Sequence, residues 1–334
     1  MIDALAIRSE LNRARTAATS GDIGAATRVA TMNFVVFVDD QRYRPWVFER
    51  AAAVAEKHPS RLIVLDSSGL AHGVDVSSHA LQCAGATIVS ERVDVAVDAL
   101  DHATIASLVQ ELAVPELPLV LWWTGARLLQ SRTFSLLAQG ARTVVVDSSG
   151  SARGEETVRE LGEFLSRFPN PALHDLAFMR LLPWQDMIAQ FFDDPALRED
   201  LFSLRSLEIQ SGSEAEALYL GGWLGSRLSW EPTGRDAFRD RRGGVVTFSR
   251  SSKGDQRRVR CVTLRSDDST YCACLADGDE NVVRLQVEGA RAKPRWFVPL
   301  QNIANTALIE RAILESERDQ IFETSLVTVH ALLA

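Results

Sequence analysis

Continuous apolar runs rich in β-branched residues recur through the first half of the chain. They predict buried strands at residues 32–38, 61–66, 86–93, 118–123 and 142–147. Segments with helical spacing stand between or beside them, at about 3–15, 44–57, 98–113, 126–139 and 154–168, and 74–83 is predicted as a helix or loop. Strands that are apolar throughout are typical of a parallel sheet covered on both faces. We therefore predict a doubly wound, mainly parallel α/β domain over residues 1–168.

The pattern changes at residues 166–175, SRFPNPALHD. Each proline there pushes the preceding residue out of the helical region, which is typical of a boundary. Beyond it we predict a short helix after Pro183, a helix at 214–229, and strands at 245–250, 257–266, 270–277 and 282–288. Strands joined by short turns are typical of an antiparallel meander. With helices at 303–317 and 320–333, the second capped by Asp319, residues 169–334 are predicted to form an α+β domain.

Composition narrows the class of protein. The 334 residues are 46% hydrophobic and carry a net charge of −8, which disfavours general binding to nucleic acid or to an anionic membrane. The best apolar run, Leu117–Trp123, is far shorter than the roughly 20 residues that span a bilayer. Four cysteines without a C-x-x-C spacing are typical of a reducing compartment. We expect a cytoplasmic protein without a leader or a membrane span.

The usual catalytic and cofactor motifs are missing from the sequence. The first strand is followed by DDQRYRPW at residues 39–46, where a dinucleotide-binding loop would carry spaced glycines. The sequence has no P-loop and no G-x-S-x-G, and its six histidines lack the spacing of a metal site. We therefore predict no catalytic residues, no cofactor and no metal.

Two predicted strands end in the same tetrapeptide, at Asp66–Gly69 and Asp147–Gly150. Both loops belong at the carboxyl edge of a parallel sheet, where ligands of such folds bind. One interpretation is a cradle for a sugar phosphate or nucleotide. The other is local, because Asp, Ser and Gly also turn the chain and cap the next helix. The sequence leaves both open.

The cysteines of the second half are candidates for redox chemistry. Cys272 and Cys274 point to one face of a predicted strand, with Cα atoms about 6.5–7 Å apart, at the upper limit for a disulfide. They are interpreted either as a redox pair or as two small buried hydrophobes. Cys261, on the preceding strand, is a third candidate that would pair with either one if the hairpin register brings them opposite.

The most uneven charge lies between Arg235 and Arg260. Nine basic and three acidic residues fall in this segment, and Arg257 and Arg258 are adjacent within it. Such a patch steers association with a partner of opposite charge, or it forms an ordinary solvated surface. Both interpretations stay open.

Several segments resemble one known family. They are RVATMNFVVFV at 28–38, KHPSRLIVL at 57–65, LPLVLWWTG at 117–125, HDLAFMRLLPWQDMIAQF at 174–191 and RDQIFETSL at 318–326. Together they are similar to the glucose-6-phosphate dehydrogenase assembly proteins, OpcA, over nearly the whole chain. The resemblance implies an accessory protein that is not an enzyme, needs no cofactor, binds glucose-6-phosphate dehydrogenase and promotes its active oligomer at the entry to the oxidative pentose phosphate pathway.

The resembling segments and the basic segment supply candidates for docking to that enzyme. These are Arg28, His58, Ser60, Arg61, Trp122, Trp123, Arg180, Trp184, Arg257 and Arg258. Arginine and tryptophan are enriched at the energetic centres of interfaces, although the same residues also serve in packing and in strand entry. The competing class is a metabolite- or nucleotide-binding module, or an enzyme, that uses the carboxyl edge of the first sheet.

Overall fold

A computed structural model describes residues 4–18, 26–27, 30–83, 86–252, 258–315 and 317–334. The chain forms two compact units that are not continuous in sequence. The first unit comprises Met1–Val146, Phe168–Leu173 and Ile309–Arg318, and the second comprises Asp147–Arg167, His174–Leu308 and Asp319–Ala334. A domain boundary at residue 168 stays a prediction.

A mostly parallel sheet forms the core of the first unit. Its strands lie in the order β1 (Ala26–Thr27), β5 (Ala86–Ala96), β3 (Ser60–Asp66), β2 (Met32–Val38), β6 (Leu119–Trp123), β7 (Thr143–Val146) and β8 (Ala172–Asp175), and the pairs from β1 to β7 are parallel. Every residue of β2 and β3 is buried. The predicted class, a doubly wound α/β fold with continuous apolar strands, is confirmed.

One predicted element of this unit is wrong. The segment predicted as a helix or loop is a strand, β4 (Val74–Cys83), which pairs antiparallel with β5. Residues 74–78 are half-buried or exposed, as at the margin of a sheet. Polar residues there break the apolar run that marks an interior strand. The sequence of β4 therefore lacks the apolar run from which the interior strands were predicted.

Helices connect the parallel strands. They are α1 (Ala4–Ala18), α2 (Arg44–Lys57), α3 (His102–Leu112) and α4 (Arg132–Gly140). Asp101 caps α3 by accepting from the N–H groups of Ala103 and Thr104, and Ser131 caps α4. Helix α1 buries Ile7 and Leu11.

The second unit is built on a mixed eight-stranded sheet. Its strands lie in the order β10 (Glu231–Gly234), β11 (Ala237–Arg239), β12 (Val245–Ser251), β9 (Leu204–Ser211), β13 (Val259–Ser266), β14 (Ser269–Ala276), β15 (Asp279–Gly289) and β16 (Lys293–Pro299). The meander from β13 to β15 is antiparallel, as predicted, and it continues antiparallel into β16, a strand that was not predicted. The placement of 245–250 within it is wrong, because β9 lies between β12 and β13 and pairs parallel with β12.

Helices of this unit cover one face of its sheet. They are α5 (Gly154–Arg167), α6 (Leu176–Met179), α7 (Leu182–Gln190), α8 (Pro195–Arg198), α9 (Glu214–Leu228) and α11 (Gln320–Leu333), while α10 (Asn305–Leu314) runs from the second unit into the first. Asp319 caps α11, as predicted. Gly221 of α9 packs so closely on the sheet that an added Cβ would lie 2.6 Å from the Phe248 ring.

No helix in the described part of the chain combines the length and the apolar character needed to cross a membrane.

Candidate functional site

The carboxyl edge of the first sheet is the place where a parallel fold would bind a ligand. Helix α2 begins there directly after β2. The guanidinium of Arg44, in its first turn, donates from Nε to Asp66 Oδ2 at 2.5 Å. Asp66 also accepts from the N–H and Oγ of Ser68, at 2.9 and 2.6 Å. Burial opposes ionisation of Asp66, but the bonds from Ser68 and Arg44 outweigh it and lower the pKa of that carboxyl.

The remaining loops of this edge are bonded to one another. Gln41 Nε2 donates to the Ser68 carbonyl at 3.0 Å, and Asp39 Oδ2 accepts from the Ala126 N–H at 3.2 Å. The indole N–H of Trp123 donates to the carbonyls of Gly125 and Arg127. The side chain of Asp66 and the polar groups of Ser68, in the first Asp-Ser-Ser-Gly loop, therefore bond to the chain itself, as in a local turn.

The second such loop belongs to the other unit and is held by Arg180. From Nη2 this guanidinium donates to Asp147 Oδ2 at 2.9 Å and to Asn305 Oδ1 at 3.2 Å. From Nη1 it donates to Ser149 Oγ and to Glu216 Oε1, each at 3.1 Å. The side chain predicted to dock a partner thus bridges a loop, the first turn of α9 and the start of α10.

A buried carboxyl lies beside this bridge. Asp175, 1% exposed, accepts from the Tyr219 hydroxyl at 2.7 Å and from the N–H groups of Ser148 and Ala177 at 3.0 and 2.9 Å. Burial, and secondly a neighbouring carboxylate, raises the pKa of Asp175 to about 6. Burial also raises the pKa of Glu216 to about 7, despite its ion pair.

Carboxyls with raised pKa values occur in active sites and in structural networks alike. Both oxygens of Asp175 accept hydrogen bonds from the chain itself, so this network is internal. Sequence reasoning missed Asp175, Glu216 and Tyr219. The only signal was that Asp175 falls within the resembling segment at 174–191.

The H-P-S-R segment ends α2 and begins β3. The His58 N–H donates to the Val54 carbonyl at the end of the helix. Arg61 donates from Nη2 and Nε to Glu91 Oε2 at 2.6 and 3.0 Å, and from Nη1 to the Leu112 carbonyl at 2.6 Å. This ion pair ties β3 to β5 and to the end of α3. Among the docking candidates here, His58 is half-buried, while Ser60 and Arg61 lie in the interior.

The three candidate tryptophans also lie in the interior. Trp122, Trp123 and Trp184 are 1%, 3% and 4% exposed. Trp123 stacks on Phe37 with ring centroids 3.9 Å apart, and Trp122 stacks on Phe34 at 6.3 Å. In this structure these side chains pack the core and are not accessible to a partner.

The basic segment is partly neutralised within its own unit. Arg250 has carboxylate oxygens of Glu155, Glu214 and Asp236 within 4.0 Å. Arg235 also pairs with Glu155. Of the other docking candidates, Arg258 is half-buried, whereas Arg28 and Arg257 lie outside the described residues. Docking through this segment stays a prediction.

The structure contains one of the cysteine pairings that the sequence left open. Cys261 forms a disulfide with Cys274, so a bridge between Cys272 and Cys274 is wrong, and the alternative in which Cys261 pairs across the hairpin is the one found. The two bonded residues are direct register partners on β13 and β14, with Cα atoms 4.0 Å apart. Cys272 keeps a free thiol, and burial raises the pKa of that thiol. Redox control stays a prediction.

Within the described part of the chain, no group of three or more His, Cys, Asp or Glu side chains is arranged to hold a metal ion.

Comparison with known families decides where the chain belongs. The model described as the glucose-6-phosphate dehydrogenase subunit N-terminal domain matches residues 51–163. The model described as the C-terminal domain of the same subunit matches residues 171–326. The chain belongs to the OpcA family of glucose-6-phosphate dehydrogenase assembly proteins.

Similar curated proteins carry the same family name. The OxPP cycle protein OpcA of Nostoc punctiforme is 29% identical over 309 residues, which cover 83% of this chain and 65% of that protein. Its namesake from Synechocystis is 33% identical over 137 residues, 40% of this chain and 28% of that protein. The one from Synechococcus elongatus is 25% identical over 253 residues, 69% of this chain and 56% of that protein. Each alignment thus spans less than two thirds of the relative.

A solved structure shares the fold. KijD10, a 3-ketoreductase from Actinomadura kijaniata in complex with TDP-benzene and NADP, superposes with a TM-score of 0.52 at 9% identity. The match covers 91% of this chain and 96% of that chain. At that identity the likeness concerns the fold alone.

Proposed function

We propose that this OpcA-family chain is a non-catalytic cytoplasmic accessory protein that binds glucose-6-phosphate dehydrogenase directly and promotes its active oligomer. The observation that carries the proposal is the pair of family matches, which extend through residues 51–163 and 171–326. A protein that acts by binding one state of an enzyme shifts that enzyme as far as its affinities for the two states differ.

The carboxyl edge of the first sheet supports a role without turnover. A dinucleotide site needs backbone that approaches pyrophosphate closely and a free helix N-terminus. Here the first turn of α2 carries Arg44, which is bonded to Asp66, and the neighbouring loop is bonded through Gln41. The competing proposal, a nucleotide or sugar-phosphate module at this edge, has less support for the same reason.

Steady-state kinetics of the cognate dehydrogenase test the proposal. The enzyme is assayed alone, with this chain in saturating excess, and with an equal mass of an unrelated protein as control. We expect a higher kcat or a lower KM for glucose 6-phosphate only with this chain, together with a larger enzyme species in sedimentation. Unchanged kinetics and unchanged oligomer size in saturating excess would reject the accessory role.

The competing proposal has its own measurement. Thermal unfolding of the chain is followed with and without nucleotides and sugar phosphates, because a ligand that binds only the folded state raises the Tm. We expect no shift. A saturable increase in Tm that is lost in an Arg44→Ala variant would favour the ligand-binding module.

A further inference from the structure

The sheet of the second unit has one covered and one uncovered face. On the covered face, Phe191 at the end of α7 packs on Tyr271, with ring centroids 5.5 Å apart, and α9 packs on Phe248. Residues that alternate with the buried ones point the other way and are half-buried or exposed, as on β14 and β15. We name this second side the open face.

Three neutral side chains lie side by side at the centre of the open face. Thr263, Cys272 and Gln286 are register partners on β13, β14 and β15, and they form one row across the strands. Glu208 continues this row on β9, with its carboxylate 3.7 Å from Arg265. A centre depleted of free charge and surrounded by charged residues is typical of a protein interface.

Strand β15 carries charges of opposite sign on the two sides of the central row. Arg284 and Glu288 of β15 lie two positions before and two positions after Gln286. Both therefore point to the open face, on opposite sides of the central row. Arg284 Nε is buried without a hydrogen-bond partner among the described residues, and its Nη1 lies 3.8 Å from the fully exposed Asp277.

A two-fold axis makes this arrangement complementary to itself. Let the axis lie between the two sheets and parallel to the central row. Each strand of one copy then lies opposite the same strand of the other copy, and the two run in opposite directions. Arg284 of one copy then faces Glu288 of the other, and the symmetric contact repeats it. The row residues, including Cys272 and Glu208, face their own equivalents, and the charge of each Glu208 is offset by Arg265 of the same copy.

The face is large enough for a stable contact. The face spans six strands, β12, β9 and β13–β16, at a spacing of about 4.8 Å. Each strand contributes roughly six residues at a rise of about 3.4 Å, so the projected area is roughly 600 Å². Side chains that stand out of a sheet make its accessible surface larger than its projection. The face therefore approaches the roughly 800 Å² that each partner gives to a specific interface.

We propose that the open face is the interface of a symmetric dimer of this chain, in which the two sheets pack face to face. This self-association goes beyond the proposed function and does not depend on it, because it needs no dehydrogenase.

Sedimentation velocity of the full chain over a concentration series tests the dimer. We expect a species of twice the chain mass. Arg284→Glu and Glu288→Arg each place like charges in both symmetric contacts, so each is expected to weaken association at least about tenfold. The double exchange restores opposite charges and is expected to recover the dimer. Arg153→Glu, an exposed reversal directly before α5, is the matched control and is expected to change nothing.

A proximity readout is independent of charge. Facing sheets lie about 10 Å apart, so a bis-maleimide of similar reach is expected to join two copies through Cys272. The experiment uses a Cys83→Ser background, and Cys272→Ser removes the acceptor. Circular dichroism and Tm of every variant confirm that it is folded.

Two results would overturn the proposal. One is a chain that stays monomeric at every concentration. If open-face variants of such a monomer lost binding to the dehydrogenase, the open face would be covered by that enzyme and not by a second copy. The other is a dimer that ignores both reversals and is not linked through Cys272. A dimer that behaves as expected, with no effect on the dehydrogenase, contradicts only the accessory role.

Discussion

Arg61 and Glu91 form an ion pair in the interior of the first unit, with side chains 9% and 4% exposed. The guanidinium also donates to the last residue of α3, Leu112. One arginine therefore joins two neighbouring strands to the end of a helix. This gives the arginine of the H-P-S-R segment a structural role that its position at a strand entry did not reveal.

Removing the arginine of this pair is expected to be costly. Arg61→Met takes the guanidinium away from a buried carboxylate, which typically lowers the free energy of unfolding by about 3–5 kcal/mol. The double variant Arg61→Met/Glu91→Leu replaces both charges and is expected to recover most of that loss. Urea unfolding measures both.

The matched control for this experiment is Arg42→Ala, because Arg42 pairs with Asp40 at the surface with its side chain 83% exposed. We expect little measurable change there. Glu91→Leu is also measured alone, and a double variant as unstable as the sum of Arg61→Met and Glu91→Leu would show that the pair is not coupled.

Gly222→Ala tests the close packing of α9. An added Cβ would lie 2.3 Å from Val329 Cγ2 and 2.5 Å from the Ser325 carbonyl oxygen, both on α11. Overpacking of this kind is expected to lower the free energy of unfolding by about 1–3 kcal/mol. Gly140→Ala, where nothing lies within 4 Å of the new Cβ, is the control and should be neutral or slightly stabilising. Equal behaviour of the two variants in urea unfolding would contradict the packing argument.

Interior strands could be predicted because burial on both faces leaves an unbroken apolar run. Strands β2, β3, β6 and β7 were found this way to within a residue or two. Strand β9, LRSLEIQS, was missed because it is buried on one face only, and its short alternation resembles that of a loop or a helix end. Its parallel pairing with β12 joins distant segments, so no local pattern encodes it.

Candidate residues could be named from their type but not from their surroundings. Arg61 and Glu91 are 30 residues apart in sequence, and Arg180 reaches Asn305 across 125 residues. Such partners follow from the tertiary fold alone. The same holds for Cys261, whose pairing with Cys274 depends on hairpin register.

The basic segment predicts salt-dependent association with the dehydrogenase, and this prediction rests on the proposed function. Arg250 and Arg235 are engaged by carboxylates of their own unit, so the residues to change are the adjacent pair Arg257 and Arg258. We expect Arg257→Glu/Arg258→Glu to lower the association rate constant. Salt that shortens the Debye length below about 8 Å is expected to lower the rate constant of the unchanged chain in the same way. Stopped-flow or surface-based kinetics measure both. Arg153→Glu/Arg167→Glu, at the two ends of α5, is the matched control. A rate that is unchanged by salt and by Arg257→Glu/Arg258→Glu would mean that the segment is only solvated.

The disulfide assignment predicts a labelling pattern. Before reduction, Cys272 is expected to react with an alkylating agent while Cys261 and Cys274 do not, and after reduction all three are expected to react. The reaction of Cys272 should be slow at pH 8, because burial raises the pKa of its thiol and keeps the thiolate scarce. Mass spectrometry after differential alkylation reads this directly. Label on Cys274 but not on Cys272 before reduction would contradict the pairing.

Asp175 predicts an unusual dependence of stability on pH. Burial raises its pKa from 3.8 to about 6, so between these values the folded chain holds a proton that the unfolded chain has released. The free energy of unfolding contributed by this group therefore falls as pH rises from about 4 to about 6, by up to about 3 kcal/mol.

Asp175→Asn cannot ionise, keeps an oxygen to accept from the N–H groups of Ser148 and Ala177, and should lose less stability than the unchanged chain between pH 4 and 7. Urea unfolding at several pH values gives both slopes. Asp101→Asn is the contrasting control, because hydrogen bonds donated by Thr104 lower the pKa of the Asp101 carboxyl, so its contribution to stability is lost as pH falls. If Asp175→Asn and the unchanged chain had the same slope, Asp175 would have to be ionised in the folded state throughout this range. The hydrogen bonds from Tyr219, Ser148 and Ala177 would then outweigh its burial.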